Sequence, residues 1–248
     1  MRLTPLLVAL ALWAGPASAD LVDMTEAERA AFREEVRAYL LENPEILLEA
    51  MDALEARQVA AQSQTDAELV AANAEALFQD PDSWVGGNPD GDVTVVEFMD
   101  YRCGFCRQAH PEVEELVDSD GDIRFVLKEF PILGEASILA ARYALATRLA
   151  HGDEAYKAFH DGLYRLRADV TPEALDDMAE DLGLDPAAIR ARLDDPSIEA
   201  TISENYALAQ RLGISGTPTF AIGDRLVRGY VPSEALREAV TEARAQPE

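Results

Sequence analysis

Seven residues rich in β-branched side chains, Val93-Thr94-Val95-Val96-Glu97-Phe98-Met99, run almost directly into Cys103-Gly104-Phe105-Cys106. The first stretch has the length and composition of a buried strand. Val113, Leu116 and Val117 then fall at helical spacing, with Pro111 expected to kink the helix, and residues 123–130 read as a second strand. The result is a β-α-β unit with two thiols at its strand-to-helix junction. No other cysteine occurs in the 248 residues, so a disulfide framework is excluded. A bond between these two would close a loop too short to restrain much of the unfolded chain. Such a pair is a poor staple and a good reactive site.

A cysteine at the start of a helix lies among unpaired backbone N–H groups and at the positive end of the dipole, which favours its thiolate. Cys103 holds that position and is the expected attacking sulfur. Cys106, one turn along the same face, is the expected resolving one. Arg102 and Arg107 add positive charge beside them. Metal binding is the competing use of these residues: Cys103, Cys106 and His110 have ligand-like spacing, and His160 could supply a fourth donor. The strand-then-helix context favours redox chemistry, so neither a metal nor a cofactor is expected. Glu97, on an otherwise apolar strand, is either a buried proton acceptor for Cys106 or an acid facing a loop; Lys128 is its candidate partner.

At the front of the chain, Arg2 precedes an apolar stretch that ends in Gly15, Pro16 and Ala17-Ser18-Ala19. This reads as a cleavable export signal over residues 1–19, too short for a spanning anchor. With 47 acidic against 21 basic residues the net charge is −26, which argues against nucleic acid or anionic membranes as partners. Residues 25–78 contain no glycine and favour helix throughout, with Asn43-Pro44 restarting a second helix. They form a helical stem, set at residues 20–80, which either folds back on its own chain or pairs with another subunit.

Turn-rich residues around 80–92 separate the stem from a catalytic domain over 81–248. Between about 135 and 212 the pattern is helical, with capping signals at Thr171-Pro172-Glu173 and Asp185-Pro186 and helix-ending glycines at Gly152 and Gly183. Two short strands at 217–222 and 225–229 and a last helix near Pro232-Ser233-Glu234 complete the chain.

The segment 95–106, Phe130-Pro131-Ile132-Leu133-Gly134 and Gly216-Thr217-Pro218-Thr219-Phe220 together resemble the DsbA family of thiol-disulfide oxidoreductases. The Asn43-Pro44-Glu45 stem is similar to the ScsC and Com1-type branch. The resemblance implies an α/β thioredoxin-like fold with a helical insertion, a surface-exposed Cys103, and Pro218 in cis beside it. It also implies client contacts at Gly104, Phe105, Thr217 and Pro218. A cis peptide there would turn backbone groups towards the sulfur, where an extended client strand can pair; an ordinary trans proline at a strand start is the alternative. Expected partners are unfolded or misfolded exported proteins, a membrane redox partner that recycles the cysteines, and further copies of the chain through the stem. Expected location is the periplasm. Gly104-Phe105 lacks a histidine between the cysteines, and Thr217 precedes Pro218 as in isomerase and reductase members. Both lean towards isomerase or reductase activity, with a dithiol oxidase, or a copper-binding or chaperone module using the same cysteines, as alternatives.

Overall fold

The computed structural model describes residues 24–245. The export signal read at residues 1–19 lies outside them. The chain divides into two compact units, Met1–Gln58 and Val59–Glu248. No helix among the described residues is long and apolar enough to cross a membrane.

The first unit holds α1 (Glu26–Glu42) and the opening of α2 (Glu45–Ala72). Thr25 and Glu28 form a capping box at the start of α1, each side chain satisfying a backbone N–H of the other residue. Asn43 ends that helix and Pro44 leads into the next, as the sequence predicts. Helix α1 buries no residue, and Phe32, Tyr39, Leu48, Met51 and Leu54 are all exposed.

In the second unit a five-stranded sheet is flanked by helices. Its strands are β1 (Trp84–Gly87), β2 (Val93–Met99), β3 (Ile123–Glu129), β4 (Thr219–Ile222) and β5 (Arg225–Arg228), in the order β1-β3-β2-β4-β5. Only β2 and β3 are parallel, joined by α4 (Gly104–Asp120). The antiparallel pairs are β1 with β3, β2 with β4, and β4 with β5.

Strand β1 is a correction, since Gly86 and Gly87 read as part of a turn and no strand is expected before Val93. It is a short edge strand whose Trp84 is buried, with the indole N–H donating to the Asp153 carbonyl at 3.1 Å. Its end requires glycine: Gly87 has φ +65°, and a Cβ there would lie 2.4 Å from the Ile123 carbonyl oxygen.

Side-chain alternation along the sheet sorts the core into two layers. Val95 and Met99 of β2 join Phe125 and Leu127 of β3 in one cluster, together with Cys106 and Val113 of α4. Val96, Phe98 and Val126 face the other way, against Val70, Leu77 and Leu208. The C-terminal part of α2 is held there by Asp66, buried and accepting from both terminal guanidinium nitrogens of Arg228 at 2.6 and 2.8 Å. Helix α3 (Ala74–Phe78) follows it.

Between β3 and β4 lie α5 (Glu135–His151), α6 (Asp153–Arg165), α7 (Pro172–Asp181), α8 (Pro186–Arg190) and α9 (Pro196–Arg211). Thr171, Asp185 and Asp195 cap three of these by accepting first-turn N–H bonds, each followed by proline. Helix α10 (Ser233–Ala245) closes the described chain.

Candidate active site

Cys103 is the N-cap of α4, with extended backbone (φ −74°, ψ 118°). Its sulfur accepts the Cys106 N–H at 3.4 Å and donates to the Thr217 carbonyl at 3.2 Å. Both cysteines are free thiols. Thr217 is 114 residues further along the chain and arrives through a cis Thr217–Pro218 peptide. The loop is fixed on its far side by the Gly229 N–H, which donates to the Pro218 carbonyl at 2.8 Å, and by the Thr219 hydroxyl on the Gly216 carbonyl.

The two sulfurs sit in different surroundings. Cys106 is fully buried, and burial, then the nearby Glu97 carboxylate, push its thiol well above the usual range. Cys103, expected to be surface-exposed, is only 7% exposed: the Thr217 loop covers it. The open surface of the motif is instead Gly104 and Phe105, the latter 61% exposed.

Glu97 is buried at 5% exposure, on the same side of β2 as Val95 and Met99, the side on which α4 packs. Burial pushes its carboxyl up to about 8. Lys128 is not its partner. Glu97 stands opposite Leu127 in register, so Lys128, one residue on, points through the other face of the sheet. There its ammonium meets Asp80 and the Ala76 carbonyl.

Two further residues of the site, Asp100 and Glu129, are not picked out from the sequence. Asp100, at the end of β2, accepts from the Ile132 and Leu133 N–H groups at 2.8 and 3.0 Å, from Ser137 Oγ at 2.8 Å and from the Arg102 N–H at 2.7 Å. It thereby ties the cysteine loop to the 130–134 loop and the start of α5. An aspartate three residues before a functional cysteine, closing an Asx turn on the Arg102 N–H, is the one local signal that could have marked it. Glu129 is buried on the Glu97 side of the sheet and accepts from Tyr101 and Tyr156, each at 2.7 Å on Oε1. Burial pushes its carboxyl up to about 8 despite those bonds. Its Oε2 and the Tyr164 hydroxyl are buried without a partner.

His110 and His160 do come together, with ring centroids 5.2 Å apart, but they meet Asp161 and not the cysteines. The four-donor arrangement of Cys103, Cys106, His110 and His160 is therefore not formed: the potential metal-ligand group found among the described residues contains neither sulfur. Arg107 is committed to the Leu166 carbonyl at 3.3 Å, and Arg102 is exposed.

A cysteine pair at the head of a helix between two parallel strands, with a cis X-Pro loop against the first sulfur, defines a thioredoxin-fold protein. A DSBA-like thioredoxin domain matches residues 94–241, and a Copper resistance protein ScsC N-terminal domain matches residues 28–61. The chain belongs to the DsbA-like thiol-disulfide oxidoreductase family, in its ScsC-type branch.

A thioredoxin-like oxidoreductase from Silicibacter pomeroyi is 44% identical, with a TM-score of 0.67 over 70% of this chain and 98% of that one. A linker-deletion mutant of Proteus mirabilis ScsC is 27% identical, with a TM-score of 0.67 over 90% of this chain and 98% of that one. The Na(+)/H(+) antiporter NhaA 1 of Salinispora arenicola is 36% identical over 165 residues, which are 66% of this chain and 25% of the antiporter. The chain thus spans about a quarter of the length of the antiporter relatives it matches.

Proposed function

We propose that this protein exchanges disulfides with exported client proteins and works chiefly as an isomerase or reductase. The observation that carries the reading is Cys103 Sγ at the N-cap of α4 with the Thr217 carbonyl 3.2 Å away. In this scheme the Cys103 thiolate attacks a client disulfide and forms a mixed disulfide, and one client sulfur leaves as a thiolate that takes up a proton. The Cys106 thiolate then attacks Cys103 Sγ, its proton passing to Glu97, and releases the second client sulfur. An isomerase cycle ends instead when a client thiolate attacks the mixed disulfide and frees Cys103. Gly104, Phe105, Thr217 and Pro218 would hold the client, Phe105 by its exposed ring and the loop by its backbone groups.

Two features favour isomerase or reductase over oxidase. Neither residue between the cysteines is a histidine, which leaves the thiolate less stabilised and the protein less oxidising. The exposed apolar side chains of residues 32–54 fit self-association through the helical stem, set at residues 20–80. An assembly of that kind would surround a client and keep the thiols from an oxidase built for monomers. The domain reading is completed by an export signal over 1–19, a catalytic domain over 81–248 with its helical insertion at 135–212, and a periplasmic site of action. A membrane redox partner would recycle the cysteines.

A copper-handling role for the reduced pair is the second reading, favoured by the ScsC N-terminal match and two free thiols 3 residues apart. A redox titration of the cysteine pair, run with refolding of a scrambled client on wild type and Cys103→Ser, tests the first. A potential at the oxidising end with no isomerisation would overturn it.

A further inference from the structure

We propose that His110, His160 and Asp161 form a binding site for a divalent transition-metal ion, zinc in the first instance, beside the redox helix and independent of its cysteines. His110 lies four residues after Cys106 on α4, while His160 and Asp161 are adjacent on α6. One donor atom from each of the three lies within 4.8 Å of the other two. His110 Nε2 and Asp161 Oδ1 are 3.3 Å apart. Two donors bound tetrahedrally to zinc at about 2.0–2.1 Å would stand at about that separation, so two of the three are already spaced for the ion.

His160 carries the orientation that a ligating imidazole needs. Its Nδ1 is 3.0 Å from the Tyr101 hydroxyl, which lies 2.7 Å from Glu129 Oε1. With the one phenolic proton directed to the carboxylate, Nδ1 is the nitrogen that donates, and Nε2 keeps its lone pair for a metal. A histidine fixed through its other nitrogen by a carboxylate relay is the usual support of a metal ligand.

Two imidazoles and one carboxylate suit zinc and its neighbours better than magnesium or calcium. His110 and Asp161 side chains are 16% and 17% exposed, which gives an ion a way in. Glu114, whose Oε2 is 3.8 Å from His110 Nε2, is available as a further donor in place of water. The competitor is Lys157, whose ammonium is 2.7 Å from both Asp161 oxygens and also bonds Glu114. An arriving ion would displace it from Asp161 and leave it on Glu114.

The test is a zinc titration of the full chain with the Cys103–Cys106 disulfide closed, so that no thiolate competes, read against a chromophoric chelator. One equivalent is expected to bind. His110→Gln and Asp161→Asn should each weaken binding at least about tenfold while circular dichroism shows the fold retained. Lys157→Gln, which leaves all three donors in place, should tighten it. Lack of saturable binding, or wild-type affinity in both His110→Gln and Asp161→Asn, would overturn the proposal.

Discussion

Glu97 and Glu129 face the same side of the sheet from neighbouring parallel strands, and burial raises both carboxyls to about 8. In the unfolded chain each would ionise near 4.5. Between those values the unfolded state binds fewer protons than the native one, so stability falls as pH rises from about 4.5 to about 8, then levels off. Glu97→Gln removes one of the two contributions and should flatten that decline. Urea unfolding at pH 5 and pH 8 measures it; identical slopes in the variant and the wild type would sink the account.

The same substitution should also act on chemistry. If Glu97 takes the Cys106 proton, Glu97→Gln leaves the first attack by Cys103 intact and slows resolution by roughly 100-fold. Mixed disulfides with client protein should then accumulate and be visible on non-reducing gels. Wild-type turnover with no trapped species would remove Glu97 from the mechanism.

Asp100→Ala deletes four hydrogen bonds from a buried carboxylate. The expected cost is about 2–4 kcal/mol, and the cysteine loop and the 130–134 loop should gain hydrogen-exchange rates together. Loosening of one without the other would show that Asp100 does not couple them.

Arg228→Ala strips the partner from buried Asp66. Because Arg228 is itself about a third exposed, the loss should be about 1–2 kcal/mol, below that of a fully buried pair. Asp66→Asn with Arg228→Ala should recover part of it in a double-mutant cycle, and strict additivity would contradict a direct coupling.

Much of the frame was legible because it depends on local signals. Strand β2, the cysteine helix and the caps at Thr171 and Asp185 follow from β-branched runs and proline-marked helix starts. Strand β1 was not, because Gly86-Gly87 has a turn's composition and Trp84-Val85 is too short a run to read as a strand until it pairs with β3. The Lys128 assignment failed on parity: proximity to Glu97 in the alignment of two strands says nothing unless the register is known, and the register puts Leu127 opposite. The Tyr101, Glu129, Tyr156 and His160 cluster joins three segments, the loop after β2, β3 and α6, and no spacing along the sequence encodes such a meeting.

The unequal burial of the two sulfurs makes the closed disulfide a one-sided electrophile. An incoming thiolate can reach only the Cys103 sulfur, since Cys106 has no exposed surface. Cys106 is then always the leaving group, and a thiol whose ionisation is pushed so far up leaves badly as an anion. Departure calls for a proton delivered as the S–S bond breaks; in the proposed scheme Glu97, protonated below about 8, returns in this direction the proton it takes from Cys106 in the other. Fast alkylation of Cys103 with Cys106 untouched in the reduced protein would display the same asymmetry, and equal labelling would refute it.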